Sequence, residues 1–265
     1  MTIAGFDPSS GAGITADLSV FHAHRCFGVS ALTALTVQST MGVRRVQPID
    51  AALLTETLGC LEEDLPPDGI KIGMLAGEAQ VRAVAEYLRS IRDRGRKMRV
   101  VLDPVIFSSS GAELLTSKGL ECLLEQLLPL VDVSTPNLAE LASLSGSGCN
   151  TEDDVIHAMA RLATRFPGLA LVATGGDRLS PDDLLFEDGC VTLLRGTRIE
   201  TRATHGTGCA FSSALLCGLV RNTPLHQAAQ AAKRYLERAM LLADVRGQGH
   251  GPMQLLWPLL KQPQS

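Results

Sequence analysis

Aromatic residues make up only 4% of the 265-residue chain, a single Trp and two Tyr among them. Proteins that hold single-stranded nucleic acid do so on stacked aromatics, so this scarcity counts against such a ligand. Lysine is scarce too: five residues, within 24 basic against 28 acidic side chains and a net charge of −4. Phosphate-backbone binders need clustered cations, and the densest basic run, Arg89 to Arg99, reads as a solvated helix end. No apolar stretch reaches the roughly 18 to 20 residues of a bilayer span, and Met1 to Gly13 lack the basic-then-apolar pattern of a signal peptide. The seven Cys are scattered without a C-x-x-C pair, which excludes a zinc knuckle and a disulfide framework and fits a reducing cytoplasm. Missing also are the G-x-x-x-x-G-K-S/T phosphate loop, the G-x-S-x-G elbow and H-E-x-x-H. Small-molecule chemistry is the class left, with neither nucleic acid nor membrane as partner, in one domain over residues 1–265.

What the sequence does have is alternation. Thr2 to Gly5, Val29 to Val37, Ile70 to Met74, Val100 to Leu102, Val131 to Ser134 and Leu169 to Thr174 read as buried strands. Helical patterns lie between them: Ile14 to His24, Ala51 to Glu63, Glu78 to Arg94, Lys118 to Leu128 and Glu152 to Arg165. Asp50 caps the second, Gly95 stops the third, and Thr151 with Asp154 forms a capping box. Repeated strand–helix–strand units imply right-handed crossovers and a three-layer α/β/α sandwich around a mostly parallel sheet. Asp182 to Phe186 and Cys190 to Leu194 read as an appended hairpin. Two helices follow, one starting near Gly206 and one with Thr223 as its cap and Pro224 at its first position.

Ligands of such sheets sit beyond the carboxyl ends of the strands, so the loops after strands carry the chemistry. Gly11 to Ala16 formally fits the dinucleotide fingerprint, yet residues intervene between strand and glycines and no acid follows about 20 residues on. The glycines serve either close ligand approach or a plain turn, and Asp17 either aims a carboxylate at that ligand or answers the helix dipole. Gln38, at the end of the second strand, offers one acceptor and two donors, which suits a heteroaromatic edge with ring nitrogen and amino group. Asp103, Asn137 and Glu140 fall at neighbouring strand ends, an arrangement that suits Mg2+ and a polyphosphate; Asn137 also suits a helix cap.

The richest segment is Thr204 to Leu215. Small residues at a helix start make Gly206 to Cys209 an anion hole aligned with the helix dipole, or else a tight turn into a packed helix. Within it, Cys209 is expected to have a lowered pKa and to serve as a base toward a substrate hydroxyl. His205 is a rival base, or a capping group. The other six Cys read as packing.

These segments together resemble a known family. Thr2 to Leu18 (TIAGFDPSSGAGITADL), Thr33 to Thr40 (TALTVQST), Lys71 to Leu75 (KIGML), Val101 to Val105 (VLDPV), Thr135 to Glu140 (TPNLAE), His205 to Cys209 (HGTGC) and Gly249 to Pro252 (GHGP) are similar, in order, to the hydroxymethylpyrimidine and phosphomethylpyrimidine kinases of thiamine biosynthesis, within the ribokinase-like superfamily. The resemblance implies ATP-dependent phosphorylation of 4-amino-5-hydroxymethyl-2-methylpyrimidine and of its monophosphate. By similarity Gly5, Asp17, Gln38, Met74 and Val105 surround the pyrimidine. Asp103, Asn137, Thr174, Gly176 and Thr207 serve ATP, Asp103 and Glu140 serve Mg2+, and Gly206, Gly208 and Cys209 are catalytic, Cys209 standing where sugar-kinase relatives carry Asp. A homodimer is the state that the resemblance implies. Thr174 stands where many relatives have Lys, and Ser10 and Ser39 replace the commoner Gly and Asn. Two other readings stay open: a pyridoxal kinase, and a catalytically silent module that keeps the pyrimidine pocket.

Overall fold

A computed structural model describes residues 1–108, 111–175 and 181–260. Among these, nine strands form one sheet: β1 (Thr2–Phe6), β2 (Ser30–Ser39), β3 (Gly42–Pro48), β4 (Gly69–Ile72), β5 (Arg99–Leu102), β6 (Val133–Ser134), β7 (Ala170–Ala173), β8 (Asp183–Glu187) and β9 (Cys190–Leu194). The order is β3-β2-β1-β4-β5-β6-β7-β8-β9. The six strands from β2 to β7 are parallel, while β3 and the β8–β9 hairpin run antiparallel at the two edges. The three-layer sandwich and its mostly parallel sheet are therefore as the sequence indicates.

Helices cover both faces. On one lie α2 (Ala51–Asp64), α3 (Glu78–Asp93), α4 (Ser117–Cys122), α5 (Leu138–Ser145) and α6 (Glu152–Arg165); on the other lie α1 (Gly13–Ala23), α7 (Thr207–Leu219) and α8 (Leu225–Leu241). Each face owns a core: Ile3, Ile70, Ile72 and Leu102 point to the first, and Val101, Val133, Val172 and Leu185 to the second. Helix α3 shows why the pattern works. Val81, Val84, Leu88 and Ile91 are buried at helical spacing while Arg82, Glu86 and Arg92 face solvent.

Local chemistry sets the ends. Asp50 accepts from the N–H groups of Ala52 and Leu53, and the Thr151–Asp154 capping box is formed. One strand is added to the expected set and two expectations change. Gly42–Pro48 is a strand, although its residues are half-buried or exposed, because it pairs along the edge of β2. The stretch from Lys118 to Leu128 is not one α-helix: α4 ends at Cys122, a wide π turn spans Leu123–Leu127, and a 3-10 turn holds Pro129, whose ring cannot donate to the helix ladder. Pro224, not Thr223, occupies the cap position of α8, and the Thr223 N–H bonds to Gly218 O.

Two of the five lysines are buried in this frame. Lys233, on α8, reaches the sheet edge and places Nζ 2.5 Å from Asp183 Oδ2, while Asp183 Oδ1 accepts from the Gly175 N–H at 2.9 Å. Removing one member of a buried pair strands the other charge without water, at a cost of about 3–5 kcal/mol. Lys233→Met should lower unfolding stability by about that amount in urea titrations. Adding Asp183→Asn should recover most of it, since the amide oxygen still accepts from Gly175; a single-variant loss below about 1 kcal/mol contradicts this account.

Candidate active site

The candidate residues gather at the carboxyl ends of β1, β2, β4, β5 and β6. Their floor is an ionic knot. Lys71, fully buried on β4, lies 3.0 Å from both carboxylate oxygens of Asp17 and 3.8 Å from Asp103 Oδ2. Asp17 also accepts from the hydroxyls of Thr2 at 2.6 Å and Ser213 at 2.8 Å. The Asp17 carboxylate is thus fully engaged inside the fold, joining β1, α1, β4 and α7, and does not reach the cleft as a free ligand group. Burial alone would push the Lys71 ammonium down, but the surrounding anions, Asp17 foremost, hold it above the ordinary lysine range.

Above the knot stands the start of α7. Gly206 occupies its cap position at φ +78°, a left-handed conformation, and a Cβ there would lie 1.9 Å from Gly11 O. Glycine is therefore required by both backbone shape and contact with the first loop. No side chain caps the helix, so the opening N–H groups around Thr207 and Gly208 are free to face an anion. Gly208 packs over Asp103: a Cβ would sit 3.5 Å from Oδ1. The Asp103 carboxyl hydrogen-bonds with the Cys209 thiol, yet its Oδ2 is buried without a hydrogen-bond partner.

Cys209 differs from expectation. Burial, with the Asp103 and Asp17 carboxylates against the nearby Lys71 charge, pushes its thiol up to about 12 rather than down. The helix N-terminus is outweighed by desolvation and like charge, so the group rests as a thiol.

Asn137 caps α5, and its side chain and that of Glu140 form a reciprocal capping box, with Asn137 N–H donating to Glu140 Oε2 at 2.9 Å. Thr174 bridges to Asn137 across neighbouring strand ends, its N–H donating to Pro136 O at 3.0 Å. Gly176 lies outside the described residues. Burial first and Asp103 second push the Glu140 carboxyl up to about 8. Two buried carboxyls that repel, one with an orphaned oxygen, suit a divalent cation. Among the described residues no cluster of three or more His, Cys, Asp or Glu forms, so water and phosphate oxygens would complete the shell, as Mg2+ prefers.

The opposite wall is apolar and flat. Met74 and Val105 pack with Ala34, Ala76, Leu114, Val43 and Val46 in a small cluster between the β2–β3 ribbon and the β4 and β5 loops. Gly5 abuts it, a Cβ there lying 3.0 Å from Met74 Sδ. Gln38 completes this wall, 3.2 Å from His205 Nε2. His205 is paired with Asp7 at 2.7 Å. Burial raises the Asp7 carboxyl, but hydrogen bonds from His205 and Ser9 outweigh it and hold the group below its ordinary range. The Gly249 to Pro252 segment clamps the side, His250 N–H donating to Thr40 O at 3.1 Å and His205 N–H to Gly251 O at 3.1 Å.

Asp103, Glu140, Asn137, Thr174 and the Gly206 to Cys209 helix start form one group of neighbours, and Gly5, Met74 and Val105 another, with Gln38 joined to the loops through His205. Sequence reasoning assigned no role to Lys71 or Asp7. Lys71 had a signal, a lone cation in the apolar strand Gly69–Ile72 of a lysine-poor chain; Asp7 had none beyond its glycine-rich loop.

A family model described as phosphomethylpyrimidine kinase matches residues 7–254. The hydroxymethylpyrimidine/phosphomethylpyrimidine kinase of Rhizobium meliloti (strain 1021) is 38% identical, covering 96% of this chain and 95% of that protein. Among solved structures, phosphomethylpyrimidine kinase from Clostridium difficile 630 superposes with TM-score 0.77 at 30% identity, over 90% of this chain and 97% of that one. An ADP complex of Bacillus subtilis pyridoxal kinase superposes with TM-score 0.83 at 32% identity, over 96% and 95%. No helix among the described residues is long and apolar enough to cross a membrane.

Glu140 gives a pH test. Its folded pKa of about 8 exceeds the ordinary 4.5, so the native state binds a proton that the unfolded chain has released. That contribution to stability is full below pH 4.5 and is lost as pH rises through 8. Without divalent cation, thermal midpoints should fall from pH 5 to pH 8, and Glu140→Gln should flatten the fall; equal slopes in both proteins contradict the assignment.

Proposed function

Because the chain belongs to the phosphomethylpyrimidine kinase family, we propose that it transfers the γ-phosphoryl group of ATP to 4-amino-5-hydroxymethyl-2-methylpyrimidine and then to its monophosphate, in thiamine biosynthesis. It does so as one kinase domain over residues 1–265. The observation that supports this reading is the uncapped α7 N-terminus, which brings Cys209 beside the Asp103 carboxyl.

Gly5, Gln38, Met74 and Val105 hold the flat ring with its hydroxymethyl group toward Cys209. The Gly206 to Gly208 backbone receives the transferring phosphoryl, whose charge in a loose transition state is met by aligned N–H groups. Thr174 and Asn137, with Gly176 and Thr207, take the nucleotide. Asp103 and Glu140 would hold Mg2+, which when bound neutralises phosphate charge. Little proton transfer is needed before the phosphoryl bond loosens, so it comes late: the Cys209 S–H proton passes to Asp103 as the sulfur takes the hydroxyl proton. Asp17 acts from beneath as the counter-ion of Lys71.

The scattered cysteines, none of which forms a disulfide, suit the cytoplasm. Exposed Leu35, Val37 and Met41 on the β2–β3 ribbon support a homodimer.

A coupled ADP-release assay tests the function. Turnover is expected with hydroxymethylpyrimidine and with its monophosphate. Consumption of ATP with pyridoxal alone would assign the chain to the other vitamin kinase, and ligand binding without turnover would make it a silent module. Cys209→Ala should cut kcat by at least about 100-fold while calorimetric pyrimidine affinity changes by less than about threefold. Unchanged turnover removes Cys209 as the base.

A further inference from the structure

Two cysteines away from the site meet near the far end of α7. Helix α1 ends in a tight turn: Arg25 adopts a left-handed φ of +56°, and the Cys26 N–H donates to Phe21 O at 2.8 Å. The turn folds Cys26 back onto the core that contains Cys217 of α7. Cys217 is buried, Cys26 is half-buried, and the two thiols hydrogen-bond with each other. Thiols in such contact need close by only about 2 Å to reach disulfide length. Arg221, just past the end of α7, donates through Nη2 to His24 O and lies 3.5 Å from Cys26 Sγ. Its guanidinium is placed to stabilise negative charge that develops on that sulfur as it attacks an oxidant. Burial first, and the Cys26 sulfur second, push the Cys217 thiol up, so it rests protonated. The sulfurs are thus unequal, one half-open beside a cation and the other closed and neutral. A peroxide-reactive thiol and the partner that resolves it need that asymmetry.

We propose that Cys26 and Cys217 are a peroxide-responsive dithiol, closing to a reversible disulfide that ties the turn after α1 to α7. The oxidant is hydrogen peroxide. The Cys26 sulfur attacks one peroxide oxygen; an S–O bond forms, the O–O bond breaks, and the departing hydroxide leaves as water with the Cys26 proton. Cys217 then attacks the sulfur of the Cys26 sulfenic acid; the S–S bond forms, the S–O bond breaks, and the second hydroxide leaves as water with the Cys217 proton. Two thiols lose two electrons and two protons, and one peroxide becomes two waters. Thiol reductants reopen the bond by exchange, in keeping with two sulfurs that are free thiols in the structure. Cys217 lies eight residues beyond Cys209 on α7, about 12 Å along the axis, so the bond forms away from the helix start. Cys60 and Cys190 are more exposed than either member of the pair, and solvent access alone would favour their oxidation first.

The test treats the unmodified protein with a small excess of hydrogen peroxide, blocks remaining thiols with iodoacetamide and digests with trypsin without reductant. Mass spectrometry should show the loss of two free thiols and one cross-link, between the peptide that begins at Cys26 and the peptide spanning residues 203–221, reversed by dithiothreitol. The second peptide carries both Cys209 and Cys217, so Cys217→Ser separates them. In that variant the cross-link should vanish, and Cys26 should instead take a dimedone label as the trapped sulfenic acid. Cys26→Ser should abolish the cross-link and leave Cys217 unlabelled. A cross-link that persists in Cys217→Ser, oxidation of the parent confined to Cys60 and Cys190, or a Cys217→Ser protein whose Cys26 takes no dimedone each overturns the proposal. Where a variant fails to fold, fragment ions of the cross-linked parent peptides still decide between Cys209 and Cys217.

Discussion

The buried ammonium of Lys71 is the interaction on which the site is built. An unpaired ion in a protein interior costs several kcal/mol, so strand β4 can carry this side chain only if anions come to it. Asp17 comes from α1 and Asp103 from the end of β5, while Thr2 and Ser213 complete the Asp17 shell from β1 and α7. Four neighbouring elements are thereby fixed against one another at the point where the cleft begins. Because Lys71 is shared unequally, close to Asp17 and farther from Asp103, one carboxylate is satisfied and the other keeps an oxygen without a hydrogen bond. The unsatisfied oxygen sits under the glycine-lined helix start, where chemistry needs a polar group that is not already spent.

The rest of the site follows from absent side chains. Gly206 lets α7 begin against the carbonyl of Gly11, where a Cβ would force the first loop and the helix apart, while Gly208 leaves open space above Asp103. The N–H donors and the carboxylates meet because both arise at the carboxyl ends of parallel strands, the end at which crossovers of this sheet leave their loops.

Much of this was legible from residues alone, and the exceptions share one physical reason. Buried parallel strands and amphipathic helices announce themselves by period, as Ile70 to Ile72 and Val81 to Ile91 do. Strand β3 was not legible, because its half-exposed residues owe their conformation to pairing with β2 rather than to burial. Asp17 looked like a ligand group because position on a helix says nothing about a lysine 54 residues away. The same holds for Cys209: its place at a helix start was read correctly, but the desolvation and the two carboxylates that set its protonation come from three other elements. Long-range electrostatics, unlike period and turn chemistry, leave almost no local trace.

That crowding explains why a thiol suits position 209. The resemblance places Cys where sugar-kinase relatives carry Asp, and in this chain the position adjoins Asp103 and lies within the field of Asp17. A carboxylate there would add a third anion to a pocket with one buried cation, and a γ-phosphoryl group would then approach against net negative charge. A neutral thiol adds none. On the reading proposed above, it stays protonated while the substrates assemble and, as the phosphoryl group leaves ADP, passes its S–H proton to Asp103 while its sulfur takes the hydroxyl proton. The raised pKa fits such a relay, because no thiolate need form before the N–H groups at the start of α7 have engaged the transferring phosphoryl.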